Sequence, residues 1–273
     1  MDYQTGYFLD GKYPYVKFGS GEKKLVIFPP SRDLLCSLAL NPETEIKTYR
    51  QMLPKDFDRE VFILGYDVNI SADKWCREIA ADFALFIEKE VGPAIIVGIS
   101  YGGAVAIPFA DQNPELTEKL LLLVSAYGLS DDGVILCRNL IDLAQKKGLR
   151  RVQFEIDNLI LNRWIRVLIK ITHYVEWCIK KKRTNPPETF INAYTHIANY
   201  PMGLKPHLAG ITAPTLIIGG DQDQFFSISR FEETAELIPN SKLVFIERAG
   251  HPAPLEQSKM VKKEVFKFLE FSL

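Results

Sequence analysis

Six short apolar runs separated by amphipathic stretches constrain this chain more than any other feature. Leu25-Val26-Ile27-Phe28 stops at Pro29-Pro30, Val61-Phe62-Ile63-Leu64 at Gly65, and Ala94-Ile95-Ile96-Val97 at Gly98; Leu120–Val124, Thr215–Ile218 and Leu243–Ile246 complete the set. Runs of four or five apolar residues without alternation are the mark of strands covered on both faces, which is the condition of a parallel sheet packed between helices. Trp75, Ile79, Phe83 and Phe86/Ile87 recur at threes and fours behind Ser71, the expected N-cap, and Val261, Val265, Phe266 and Leu269 mark one face of a last helix over Lys259–Leu269. The pattern predicts an α/β fold: a mostly parallel twisted sheet with helices on both faces. Ligands are then expected beyond the carboxyl ends of the strands.

The alternation fails once. Residues 129–210 contain no clear strand and carry 13 Lys and Arg against 7 Asp and Glu, a local charge of +6 that leaves −7 on the remainder. We read this stretch as an inserted helical cap, dividing the body into a first part, 1–128, and a second, 211–273. Within it Leu159–Ile179 reads as one helix, with Leu161, Trp164/Ile165, Leu168, Ile171, Val175 and Cys178/Ile179 on a common face. Arg163, Arg166 and Lys170 interrupt it, so it is not a membrane span, and Lys180-Lys181-Lys182-Arg183 closes it with a cationic cluster. Three placements are open: packed inward with its positive end complementing the helix dipole, roofing a pocket, or making weak contact with an anionic membrane surface.

Composition removes several function classes. With 33 Lys+Arg against 34 Asp+Glu there is no basic field for nucleic acid, and no nucleic-acid partner is expected. Cys36, Cys76, Cys137 and Cys178 form no C-x-x-C pair, so neither a zinc site nor a disulfide framework is expected. No metal cluster, P-loop or dinucleotide fingerprint is found, and no cofactor is expected. Met1 to Tyr15 lacks the apolar run of a signal peptide, which makes a cytoplasmic location the expectation.

The chemistry lies at strand ends. Gly98-Ile99-Ser100-Tyr101-Gly102 fits G-x-S-x-G, a sharp strand-to-helix turn that projects a serine hydroxyl, with small residues Gly103-Ala104 opening the helix. Such a hydroxyl needs a base, and the base an orienting acid. Of four histidines, His173, His196 and His207 fall inside the insertion and read as packed or surface residues, whereas His251 follows the last strand in Arg248-Ala249-Gly250-His251. Two acids, Asp221 and Asp223, follow strand Thr215–Ile218 in Gly219-Gly220-Asp221-Gln222-Asp223-Gln224, and spacing alone leaves both open.

The elbow, the Ala213–Asp223 stretch, Ala249-Gly250-His251 and the trailing Pro254-Leu255-Glu256-Gln257 together resemble the α/β-hydrolase fold superfamily in its capped, esterase- or lipase-like subset, over about Val16 to Leu273. The order Ser…Asp…His is the order that fold uses. The resemblance implies Ser100 as nucleophile, His251 as base and Asp223, three residues after Gly220, as the acid. It also implies an oxyanion hole from the backbone N–H groups of Ser31 and Tyr101. Here the chain departs from its relatives: Pro29-Pro30-Ser31 stands where they carry His-Gly, and neither proline can donate. A serine rather than an aspartate at position 100 disfavours the dehalogenase and epoxide-hydrolase branches. The implied activity is carboxylesterase-type hydrolysis of a small apolar or lipid-like ester through an acyl-enzyme. The alternatives are a thioesterase or lysophospholipase using the same triad, or a low-turnover small-molecule binding or signalling protein.

Overall fold

The computed structural model describes residues 2–51, 53, 58–179 and 183–270, apart from the side chain of Cys178. Lys180-Lys181-Lys182, the heart of the expected cationic cluster, lie outside the described residues.

Among the described residues eight strands form one sheet: β1 (Tyr3–Phe8), β2 (Tyr13–Phe18), β3 (Lys23–Phe28), β4 (Arg59–Leu64), β5 (Ala94–Ile99), β6 (Thr117–Leu123), β7 (Thr215–Gly220) and β8 (Ser241–Ile246). Their spatial order is β1-β2-β4-β3-β5-β6-β7-β8, antiparallel at β1–β2 and β2–β4 and parallel from β4 onward. The six apolar runs are the six parallel strands. The pairing alternates side chains between two cores: Val26 and Phe28 enter the larger one with Phe83 and Phe109, and Leu25 and Ile27 the other with Val97, Leu121 and Val265.

Sequence periodicity did not reveal β1 and β2. Tyr3–Phe8 is polar and mostly exposed, as an antiparallel edge strand can be, and it turns back through Leu9, Asp10 and Gly11, all at positive φ.

Among the described residues eleven α-helices accompany the sheet. The first four are α1 (Arg32–Leu35), α2 (Pro42–Arg50), α3 (Cys76–Phe86) and α4 (Tyr101–Gln112). Between β6 and β7 lie α5 (Asp131–Lys147), α6 (Leu149–Ile156), α7 (Arg163–Tyr174) and α8 (Pro187–Asn199), and α9 (Ile228–Leu237), α10 (Ala253–Glu256) and α11 (Ser258–Glu270) follow. Among the described residues none of these is long and apolar enough to cross a membrane.

Two helix expectations need correction. Ser71 is not the cap of α3: its hydroxyl is engaged by Asp73, and Lys74 N–H closes a turn onto its carbonyl at 3.1 Å. The helix starts after Trp75, whose N–H donates to the Glu78 carboxylate at 2.8 Å. Leu159–Ile179 is not one helix either. A 3-10 turn, Asp157–Leu159, precedes it, and Asn162 caps α7 by accepting from Trp164 and Ile165 N–H. Asn162 ends the run because its side chain competes for those first N–H groups. Beyond Tyr174 the chain continues as a π turn, Val175–Ile179.

Candidate active site

At the end of β5 the chain reverses into α4, and Ser100 occupies the turn at φ 51°, ψ −115°. A non-glycine residue there costs about 1–3 kcal/mol and persists only where its surroundings impose it. They do. Ser100 N–H is held by the Leu123 carbonyl at 2.9 Å, and its own carbonyl accepts from Gly103. The flanking glycines are steric necessities: a Cβ on Gly102 would lie 1.9 Å from the Phe28 carbonyl oxygen, and one on Gly98 2.7 Å from Gly103 Cα.

His251 lies 151 residues further along, yet its Nε2 is 2.8 Å from Ser100 Oγ. Its Nδ1 is 2.8 Å from Asp223 Oδ2, and the Asp223 side chain is fully buried. The other Asp223 oxygen accepts from Phe225 and Phe226 N–H at 2.8 and 3.1 Å. With a carboxylate facing Nδ1, the ring carries its proton there, leaving the Nε2 lone pair directed at the hydroxyl. Phe225 and Phe226 pack against the imidazole, with ring centroids 4.6 and 5.8 Å away. Asp221 instead accepts Ala249 N–H at 3.1 Å and holds the loop that carries the histidine.

Two further side chains, missed in the sequence, brace that loop. Gln224 accepts His251 N–H at 2.9 Å and donates to the Leu159 carbonyl at 3.0 Å. Glu256 accepts Gly250 N–H with one oxygen at 3.0 Å and Asn162 N–H with the other at 2.9 Å. Both lie in stretches that carry the resemblance, but only the fold shows that they tie the histidine loop to the foot of α7.

On the far side of Ser100, the Phe28 and Pro29 carbonyls abut Gly102. Tyr66 holds this loop by donating its hydroxyl to Pro29 O at 2.7 Å, while its N–H donates to the buried Asp33 carboxylate at 2.7 Å. Leu38 N–H donates to the other Asp33 oxygen, yet burial outweighs both bonds and lifts the Asp33 pKa to about 7. Tyr101 lines the cavity beside Ser100, whereas Ser31 is not among the residues of its wall. The Ser31 hydroxyl is engaged by Tyr194 rather than capping α1. Among the described residues neither the Ser31 nor the Tyr101 N–H has a protein acceptor.

The cavity above Ser100 measures about 110 Å³, and its walls include Ala104, Leu129, Ile197, Leu204, Phe225 and Phe226. Arg77, the one guanidinium in its described wall, is paired with Glu78 at 3.0 Å. His196, in the same wall, packs at a tilt against Trp75 with ring centroids 4.2 Å apart, and burial lowers its pKa, favouring the neutral ring. Ser125, at the end of β6, is 1% exposed, and its hydroxyl has no hydrogen-bond partner among the described residues. His207, also in the wall, pairs with Asp111 at 2.6 Å, and His173 lies outside it, paired with Asp157 at 2.8 Å.

The roof corrects the expectation for 159–179. It is built from α8 and the segment 200–207, and no residue of α7 lines the cavity. Nor is α7 packed inward by its apolar side, for none of its residues is buried.

Comparison with known proteins agrees with this architecture. A family model described as the alpha/beta hydrolase family matches residues 71–262. The chain belongs to the alpha/beta hydrolase family. A 2-hydroxy-6-oxononadienedioate/2-hydroxy-6-oxononatrienedioate hydrolase from Cupriavidus pinatubonensis is 27% identical over 67% of this chain, and the match spans 64% of that enzyme's own length. Among solved structures, an alpha/beta hydrolase from a Medee basin deep-sea metagenome library superposes with a TM-score of 0.78 at 15% identity, covering 99% of this chain and 98% of its own. A thermophilic esterase from Thermogutta terrifontis does so with a TM-score of 0.70 at 21% identity, covering 99% and 98%. At these identities the two structures speak for the fold.

Proposed function

We propose that this protein is a serine hydrolase that cleaves small, uncharged carboxylic esters through an acyl-enzyme. The observation that carries the reading is the unbroken relay from Asp223 through His251 to Ser100 beneath a largely apolar cavity. Ser100 Oγ attacks the acyl carbon as its proton passes to His251 Nε2. The oxyanion so formed is received by the Tyr101 N–H, with the Ser31 N–H as second donor. Collapse breaks the bond to the leaving alkoxide, which takes the proton from Nε2 and departs as the alcohol. Water then attacks the acyl carbon, gives its proton to Nε2, and releases the acid as Ser100 recovers its own. Asp223 stays unprotonated throughout and fixes the ring. In this reading residues 129–210 are a cap set on a core of 1–128 and 211–273.

The cavity walls favour a short apolar acyl group. The Cupriavidus relative is named for dioates, and a dioate needs cationic partners. Here the described wall supplies a single guanidinium, Arg77, already beside the Glu78 carboxylate, and this supports an uncharged substrate over a dianionic one. The test is p-nitrophenol release from acetyl, butyryl and dodecanoyl esters, with fluorophosphonate labelling of the protein. Expected are turnover that declines toward the dodecanoyl ester and a label on Ser100, both abolished in Ser100→Ala. Equal release by wild type and variant, with no label, would overturn the proposal and favour a binding protein.

A further inference from the structure

Helix α7 sits on the molecule inside out. Its polar side faces the turn that precedes it: Arg166 donates to the Ile160 carbonyl at 3.2 Å, Lys170 to the Asn158 side chain, and His173 pairs with the buried Asp157. Its apolar side faces solvent, with Trp164 74%, Leu168 64% and Ile171 56% exposed, and Val167 and Tyr174 beside them in the same stripe. Ile179, in the π turn beyond, is exposed as well. Soluble surfaces seldom leave a continuous helical stripe of large apolar side chains in water without a use for it.

Charge and area select the occupant. The inserted segment 129–210 carries a local charge of +6, and Arg163, exposed at the start of α7, lies over the Trp164 ring at the edge of the apolar stripe. A second copy docking face to face would bring two such basic segments together. A helix of this length is about 18 Å long and about 10 Å wide, so its exposed face offers roughly 200 Å², against about 800 Å² per partner in a stable dimer. An exposed tryptophan, three aliphatic residues and a flanking arginine on a basic segment are what an interfacial helix uses to lie in the headgroup region of an anionic bilayer.

We propose that α7 docks this protein on anionic lipid bilayers, its Trp164–Leu168–Ile171 face entering the interface and Arg163, exposed at the rim of that face, meeting the headgroups. The seat lies close to the site, since Asn162 and Leu159 at its foot are bonded through Glu256 and Gln224 to the loop of His251. Docking itself does not depend on the ester chemistry, so the two proposals fail separately.

The test is co-sedimentation of the full chain with phosphatidylcholine vesicles, with and without one-third phosphatidylglycerol, at low and high salt. Expected are binding to the anionic vesicles that weakens with salt, and quenching of Trp164 fluorescence by brominated lipid that is lost in Trp164→Phe. Leu168→Glu with Ile171→Glu, at positions outside the core and the site, should weaken vesicle binding at least tenfold while leaving circular dichroism unchanged. Absence of vesicle binding, binding unaltered by the double substitution, or a dimer in sedimentation velocity that the double substitution dissolves would each overturn the proposal.

Discussion

Replacing Asp223 by asparagine puts the proposed relay to its sharpest test. Asp223 uses one oxygen to accept two backbone N–H groups, from Phe225 and Phe226, and the other to face His251 Nδ1. An asparagine of the same shape must place its amide oxygen toward the two N–H donors, because the reverse orientation sets N–H against N–H twice. Its NH2 then points at Nδ1, which can only accept. The imidazole is forced to carry its proton on Nε2, 2.8 Å from Ser100, where it cannot take the serine's. The fold loses almost nothing, since both backbone bonds survive. Turnover, by contrast, should fall by about 10³–10⁴, the cost of the wrong tautomer and equal to about 4–5.5 kcal/mol of barrier. Asp221→Asn is the matched control: its oxygen accepts a single N–H, from Ala249, and an amide oxygen can do the same. The assay is steady-state hydrolysis of a p-nitrophenyl ester alongside thermal unfolding. Asp223→Asn retaining more than a tenth of wild-type turnover, or Asp221→Asn losing more, would refute the reasoning.

Three further outcomes are expected. Gly102→Ala should destabilise the elbow by several kcal/mol or prevent soluble expression, because its Cβ falls 1.9 Å from a backbone oxygen that cannot withdraw; chemical denaturation measures the loss. Ser125→Ala should raise stability by about 1 kcal/mol by deleting an unpartnered buried hydroxyl, and unfolding in urea checks it; a rise in KM in the same variant would indicate that the hydroxyl meets substrate. Asp33 sets a pH dependence: with its folded pKa raised to about 7 from 3.8, the folded state holds this proton more tightly than the unfolded chain. Its contribution to stability is therefore greatest below pH 4, declines as pH rises toward 7, and is level above. Asp33→Asn should flatten that decline in urea unfolding measured from pH 5 to 8, even though it gives up one of the two N–H bonds.

Much of the site was legible because its parts are local. A glycine two residues either side of Ser100 and apolar residues before it specify a strand, a strained turn and a small-residue helix whatever else the chain does, since backbone sterics act over a few residues. Each member of the proposed triad stands just past a strand, and strand ends announce themselves as apolar runs that stop. The acid was a harder matter. Asp221 and Asp223 share one loop, and only the likeness to relatives separated them before the geometry did. Gln224, Glu256 and Ser125 carry no local signal, because their importance lies in partners far along the chain or in having none.

The edge hairpin β1–β2 and helix α7 show where reading from sequence stops. A solvated strand lacks the apolar run that betrays a buried one. For α7 the spacing of Trp164, Leu168 and Ile171 against Arg166, Lys170 and His173 established by itself that the helix has two unlike faces. Which face turns inward is a property of what it meets. Here the turn before it offers carbonyls at Asn158 and Ile160 and the buried carboxylate of Asp157, so the polar side is drawn in and the apolar side is left outside. Periodicity is a property of one segment, whereas orientation is decided between two, and that choice was made only when the chain folded.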